Sequence, residues 1–316
     1  MSELCLVTGG GGFIGSHLVD GLVAQVRPVR VLDDFSTGLR SNLEHHGGKV
    51  EVVEGSLTDP GAVERAVQGA TLVFHLGALA SVARSVETPL VSHAACATGT
   101  LNVLDAARKA GVRRVVYAAS SSAYGGSSGE GGQTEDQPVH TLSPYAAAKM
   151  AGELYMEAFT ATYGLETVRL RFFNIFGPRQ RADSPYSGVI ALFIAAMSAG
   201  RTPTVHGDGL QSRDFTYVAN AVQALLKASE APGASGNVYN VGTGSSITVL
   251  DLVRSLNKLL GTNVTPEHGP PRAGDVRFSR ADISRTRRDL GYEPDVPFEE
   301  GLRRTLKWYQ ETGTGR

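Results

Sequence analysis

The chain has 316 residues, 41% hydrophobic and 19% charged, with a formal net charge of -1. That length supports one or two domains with a substantial core, and the near-neutral charge gives no general attraction to nucleic acid or an anionic membrane, so an anionic ligand must be met by local basic residues. Cys5 and Cys96 are too few for a disulfide framework, the first apolar stretch is too short and glycine-interrupted for a signal peptide, and no run of about 18 apolar residues is present to span a bilayer, so a reduced, cytoplasmic setting is expected.

In chain order, short β-branched runs alternate with helical patterns over residues 4–8, 13–26, 28–33, 50–53, 62–67, 71–76, 89–110 and 114–120. This βαβ rhythm predicts an α/β fold with a doubly wound, parallel Rossmann sheet. A helix over 144–163 and a strand over 167–173 extend it. Past Gly177 the regularity breaks, and Gly-, Pro- and Asp-rich stretches separate helices near 189–199, 218–230 and 250–260. The expected division is a nucleotide-binding domain over 1–176, to which 216–245 return, and a smaller, interleaved C-terminal substrate domain from 177–215 and 246–316.

After the first strand comes Gly9-Gly10-Gly11-Gly12-Phe13-Ile14-Gly15, then an apolar helix. Glycines at 9, 12 and 15 allow a sharp turn that brings backbone N–H groups and the positive helix end to a pyrophosphate. Asp33 ends the second strand about 20 residues on, followed by Asp34-Phe35-Ser36-Thr37-Gly38. Its carboxylate is placed to bond the adenosine ribose hydroxyls and to repel a 2′-phosphate, so NAD is expected rather than NADP.

Ser143-Pro144-Tyr145-Ala146-Ala147-Ala148-Lys149 sets Tyr145 and Lys149 on one face of a helix opened by Pro144. An adjacent ammonium and a nicotinamide cation favour the phenolate, bringing Tyr145 down from its ordinary pKa of about 10 into general-base range. Lys149 can also hold the cofactor ribose. His45, His46, His75 and His140 have no metal-like set of partners, so no metal is expected; His75 reads as a packed strand-end residue and the others as surface.

With these motifs, and with His75-Leu76-Gly77-Ala78, Ser120-Ser121-Ser122-Ala123-Tyr124-Gly125, Arg171-Phe172-Phe173-Asn174 and Ser212-Arg213-Asp214-Phe215, the chain resembles the extended short-chain dehydrogenase/reductases, and specifically the UDP-sugar 4-epimerases. The resemblance implies NAD held by Gly9, Gly12, Phe13, Ile14, Gly15, Asp33, Asp34, Ser36, Thr37, Gly38, Ser56, Leu57, Leu76, Gly77 and Ala78, together with Tyr145 and Lys149. It implies a serine bonding the sugar hydroxyl and Tyr145; counting from Tyr124 gives Ser120, and a one-residue slip gives Ser121, with Ser122 another sugar neighbour. Tyr145 would take the proton of the 4-hydroxyl while hydride leaves carbon 4; the 4-keto sugar turns over, and both return to the opposite face.

The resemblance further assigns Asn174, Arg213 and Arg272 to the diphosphate, Asp275 to the uridine ribose, His206 to the uracil side, and Val189 and Ser279 to the substrate pocket, with relatives commonly dimers that pair their tyrosine-bearing helices. Ser56 and Cys96 depart from the aspartate and asparagine of many relatives. Arg181 stands where many have aspartate, and a guanidinium there suits a sugar carboxylate, so UDP-glucuronate is the favoured substrate; the alternatives are UDP-glucose and UDP-N-acetylglucosamine, and for Arg181 a plain ion pair with Asp183. The related dehydratases and decarboxylases carry acidic residues where this chain has Ser121, Ser122 and Ala123. A non-catalytic nucleotide sensor is disfavoured by the retained Ser120, Tyr145 and Lys149.

Overall fold

A computed structural model describes residues 3–127, 131–183, 187–271 and 276–313. Its first part comprises β1 (Cys5–Thr8), α1 (Phe13–Ala24), β2 (Val29–Asp33), β3 (Val50–Glu54), α2 (Pro60–Val67), β4 (Leu72–His75), α3 (Val82–Glu87), α4 (Pro89–His93), α5 (Gly99–Lys109), β5 (Arg114–Ser120), α6 (Pro144–Tyr163) and β6 (Glu166–Phe172). There follow β7 (Asn174–Phe176), α7 (Val189–Ser198), β8 (Thr204–His206), β9 (Ser212–Arg213), β10 (Phe215–Tyr217), α8 (Val218–Glu230), β11 (Val238–Val241), β12 (Ile247–Thr248), α9 (Val249–Leu260), β13 (Glu267–Gly269), β14 (Phe278–Ser279), α10 (Ser284–Leu290) and α11 (Phe298–Thr312).

Strands β1 and β4 are buried at every residue, as parallel strands covered on both faces must be. They join a parallel seven-stranded sheet in the order β11-β6-β5-β4-β1-β2-β3. Leu18, Leu22, Ala221 and Leu225 of α1 and α8 cover one face. Val63, Val67, Val103, Leu104 and Met156 of α2, α5 and α6 cover the other. The order reverses between β1 and β4, and a ligand crevice opens beyond the carboxyl ends of strands at such a switch point. Beyond the sheet, Phe176, Phe215 and Tyr217 pack with α7, α9 and α11 in a separate core, flanked by the small sheets β12-β9-β14 and β13-β8.

The continuous helix expected over 89–110 is instead broken: α4 passes through a π turn at Ala94–Thr98 into α5. The Thr100 hydroxyl donates to the Cys96 carbonyl at 2.5 Å, giving that carbonyl a side-chain partner where the turn widens. Among the described residues no helix is long and apolar enough to cross a membrane.

Candidate active site

The glycine turn is close-packed. Gly9 is left-handed at φ 71°, and a Cβ on it would stand 2.8 Å from Gly77 Cα at the end of β4. A side chain on Gly15 would overlap the Gly9 carbonyl, and one on Gly38 would meet the Gly11 backbone at 2.8 Å. Helix α1 has no side-chain cap at Gly12, which leaves its first N–H groups available at the crevice. Phe13 and Ile14 turn their side chains into the second core, and Leu76 packs on the first.

Asp33 is the hub of this wall. Its Oδ2 accepts the Gly11 N–H and its Oδ1 the Phe35 N–H, both at 2.8 Å, and burial pushes its carboxyl up. Each oxygen retains a lone pair for a ribose hydroxyl. Asp34 is tied locally, accepting from Ser36 N–H at 2.9 Å and Ser36 Oγ at 2.6 Å. Ser56 pairs with Thr58 at 2.9 Å, and Leu57 lies under Gly77 and takes the Asn102 amide on its carbonyl at 2.9 Å. Residues 9–15, 33–38, 57 and 76–78 thus meet at the carboxyl ends of β1, β2 and β4. A turn that only glycine fits, beside a ribose-facing carboxylate, suits NAD.

Ser143 caps α6, its hydroxyl accepting the Ala146 N–H at 3.1 Å, and the Tyr145 N–H donates to Ser85 Oγ at 3.0 Å. Ser122 Oγ donates to Ser120 Oγ at 2.8 Å, and of the serines at 120 and 121 it is the Ser120 side chain whose influence draws the Tyr145 phenol down. Lys149 is buried, with Nζ 4.6 Å from the centre of the Tyr117 ring. In the protein alone, burial raises the Tyr145 phenol above its ordinary value, with the Ser120 side chain drawing it down, and burial lowers Lys149 against the pull of Glu153.

Beneath these residues runs a buried chain of hydrogen bonds whose direction is determined. Thr100 spends its only proton on the Cys96 carbonyl, so at 2.9 Å it must accept from His75 Nε2. His75 Nδ1 is then the acceptor, and Thr8 Oγ1 donates to it at 2.7 Å while itself accepting the Gly77 N–H at 3.1 Å. Only the neutral Nε2–H imidazole satisfies this chain, and complete burial lowers its pKa to about 3. His75 is therefore packed, as expected, but it also joins the cofactor turn to the π turn whose Cys96 packs in one cluster with Leu79, Ala148 and Tyr145.

Two more supports were not singled out from sequence. Glu153, two turns beyond Tyr145, meets Arg171 of β6 through paired bonds of 3.0 and 2.8 Å, with side chains 1% and 5% exposed, and pins α6 to the sheet. The only sequence signal was its helical spacing from Lys149. Asp214, fully buried, accepts from Thr243 N–H and Oγ1, both at 2.8 Å, from Gly244 N–H at 3.0 Å and from Ala281 N–H at 3.2 Å. It binds β9, the exit of β11 and the exit of β14 together.

On the substrate side a cavity of about 470 Å³ is lined by Asn174, Val189, His206 and Arg213, together with Phe193 and Gln211. Ser279 is buried in β14, in register with Arg213 of β9. Arg181 does not line the cavity: it grips Asp183 with bonds of 2.9 and 2.5 Å, the two side chains 46% and 55% exposed, and its Nη1 lies 3.5 Å from the Thr37 carbonyl. Arg272 and Asp275 fall outside the described residues. His45 and His140 are exposed as expected, but His46, read as surface, is buried because its 3-10 turn folds back onto Asp20 of α1.

The sequence profile of the NAD dependent epimerase/dehydratase family matches residues 5–242. The UDP-glucose 4-epimerase of Mycolicibacterium smegmatis is 38% identical over 96% of this chain and 98% of its own. The crystal structure of the Thermotoga maritima UDP-glucose 4-epimerase with UDP-glucose superposes with a TM-score of 0.93 at 37% identity, covering 98% of this chain and 99% of that one. A UDP-N-acetylglucosamine 4-epimerase from Methanobrevibacter ruminantium M1, in complex with UDP-N-acetylmuramic acid, gives 0.93 at 36% identity, covering 99% and 100%. The chain belongs to the NAD-dependent epimerase/dehydratase family, among the extended short-chain dehydrogenases that include the UDP-sugar 4-epimerases.

Proposed function

We propose that this NAD-dependent UDP-sugar 4-epimerase acts on a neutral UDP-hexose, UDP-glucose foremost. The observation that carries this choice is the closed Arg181–Asp183 pair, which already satisfies the one cation that argued for an acidic sugar. Asn174 and Arg213 in the cavity suit the diphosphate, Arg213 through its guanidinium fork. Arg272 and Asp275 complete the clamp in this reading. The division into an NAD-binding unit (1–176 with 216–245) and a UDP-sugar unit (177–215 and 246–316) belongs to the same proposal.

Bound NAD supplies a reversible hydride acceptor. Tyr145 takes the 4-hydroxyl proton and later returns it; Ser120 bonds both that hydroxyl and the phenol, and Lys149 offsets part of the cost that burial imposes on the phenolate. Because proton and hydride both come back, the reaction consumes no cofactor. Exposed Val86, Leu90 and Leu154 on α3, α4 and α6 support the homodimer through the tyrosine-bearing helices. Buried Cys5 and Cys96 thiols suit a reduced, cytoplasmic setting.

UDP-glucuronate is the second reading, favoured by the half-exposed position of Arg181 beside the cofactor loop, where a substrate carboxylate would displace Asp183. Catalytic efficiencies on UDP-glucose, UDP-N-acetylglucosamine and UDP-glucuronate, measured in wild type and Arg181→Ala without added reductant, test both readings. The expected result is highest efficiency on UDP-glucose, unchanged in the variant. A preference for UDP-glucuronate that Arg181→Ala abolishes would replace the first reading with the second, and no turnover on any UDP-sugar would leave a nucleotide-binding regulator.

A further inference from the structure

Away from the crevice, Asp20 of α1 meets the neighbouring His45 and His46. The Nε2 atoms of the two histidines lie 2.8 and 3.0 Å from the same Asp20 Oδ1, their ring centres are 4.0 Å apart, and the donor atoms all fall within 4.8 Å of one another. The His46 side chain is only 7% exposed, yet its Nε2 has no hydrogen-bond partner, so its approach to the carboxylate is not aligned as a hydrogen bond. A buried imidazole nitrogen without a partner is costly. The other Asp20 oxygen is held by Arg179 Nη2 at 2.8 Å, which orients the carboxylate as outer-shell donors orient ligating carboxylates.

We propose that Asp20, His45 and His46 bind one first-row transition-metal dication, of the zinc or nickel class. Imidazole donors select such metals over magnesium or calcium. With metal–nitrogen bonds of about 2.0–2.1 Å, neighbouring ligand atoms stand roughly 3 Å apart, and two of the three donor pairs already do. The half-exposed His45 leaves the remaining coordination positions to water. Arg179 adds a positive charge next to the carboxylate, so the affinity is below that of a closed four-ligand site. The ion would clasp three segments of the adenosine-side wall: α1, the turn whose Asn42 donates to the Gly11 carbonyl at 2.9 Å, and the loop carrying Arg179 to Arg181.

The test uses the untagged, full-length protein with its NAD, dialysed against EDTA and then equilibrated with Zn2+ alone, and with Co2+ for its visible spectrum. Saturable uptake of one ion per chain is expected, with a Co2+ band of imidazole ligation, both weakened at least about tenfold in His46→Gln. Because His46 is buried, the exposed His45→Gln provides the same readout in a fold whose melting temperature without metal is unchanged. Absence of saturable uptake, or uptake that survives both substitutions, would overturn the site.

Discussion

Replacing His75 with glutamine should flatten the acid side of the stability profile. In the fold this imidazole titrates at about 3; in the unfolded chain it titrates at about 6.5. A histidine with a depressed folded pKa contributes stability that is fully present above the unfolded value, because the unfolded chain takes up the proton first as the pH falls. The contribution is then lost at about 1.4 kcal/mol per pH unit between roughly 6.5 and 3, a cumulative loss of about 2 kcal/mol by about pH 5. His17 and His46 are also lowered by burial, but they are common to wild type and variant, so the difference isolates His75. Urea unfolding of both proteins at about pH 7, 6 and 5 is the assay, and the gap between them should narrow by about 2 kcal/mol across that range. Parallel curves would mean that His75 accepts a proton within the fold, and would refute the assigned direction of the Thr8–His75–Thr100 chain.

Tyr145→Phe keeps the packing of the ring and removes the proton carrier, so kcat should fall by about 10²-fold or more with the NAD content of the purified protein unchanged; retention of more than about a tenth of the rate would exclude Tyr145 as the base. Asp33→Ala loses the Gly11 contact for either cofactor, but the ribose contact only for NAD, so affinity for NAD should drop more than that for NADP in a fluorescence titration. An equal loss of both would contradict the ribose assignment. Asp214→Ala leaves the N–H groups of Thr243, Gly244 and Ala281, the last fully buried, without their acceptor, each at about 1–3 kcal/mol, so a total loss of at least about 3 kcal/mol is expected in unfolding experiments. A loss below about 1 kcal/mol would show that water or the backbone replaces the carboxylate.

The features legible in the sequence share one property: their cause lies within a single element. β5 and α8 occupy the expected spans, Arg114–Ser120 and Val218–Glu230, because continuous burial of a parallel strand and the apolar stripe of a helix are written locally. The glycine turn, the Ser143-Pro144 cap and the Tyr145/Lys149 face are local in the same sense. α11 was legible too, since Leu302, Thr305, Leu306 and Tyr309 recur at helical spacing behind Glu299 and Glu300, although the expected helices end at residue 260. The π turn was not legible. Ala94, Ala95 and Ala97 favour an unbroken α-helix, and what favours the wider turn, Thr100 held by His75, reaches back 25 residues to β4. Asp20 likewise meets His45 and His46 only once α1 and the 3-10 turn have packed. The Arg181–Asp183 pair, one of the two expectations for Arg181, is local: a partner two residues away closes at little entropic cost. The nearness of Tyr145 to Lys149 along the helix is visible in sequence, whereas the burial that raises the phenol comes from α3 and the π turn packing on the ring, so the phenolate must be favoured against that burial by the lysine and the bound nicotinamide cation.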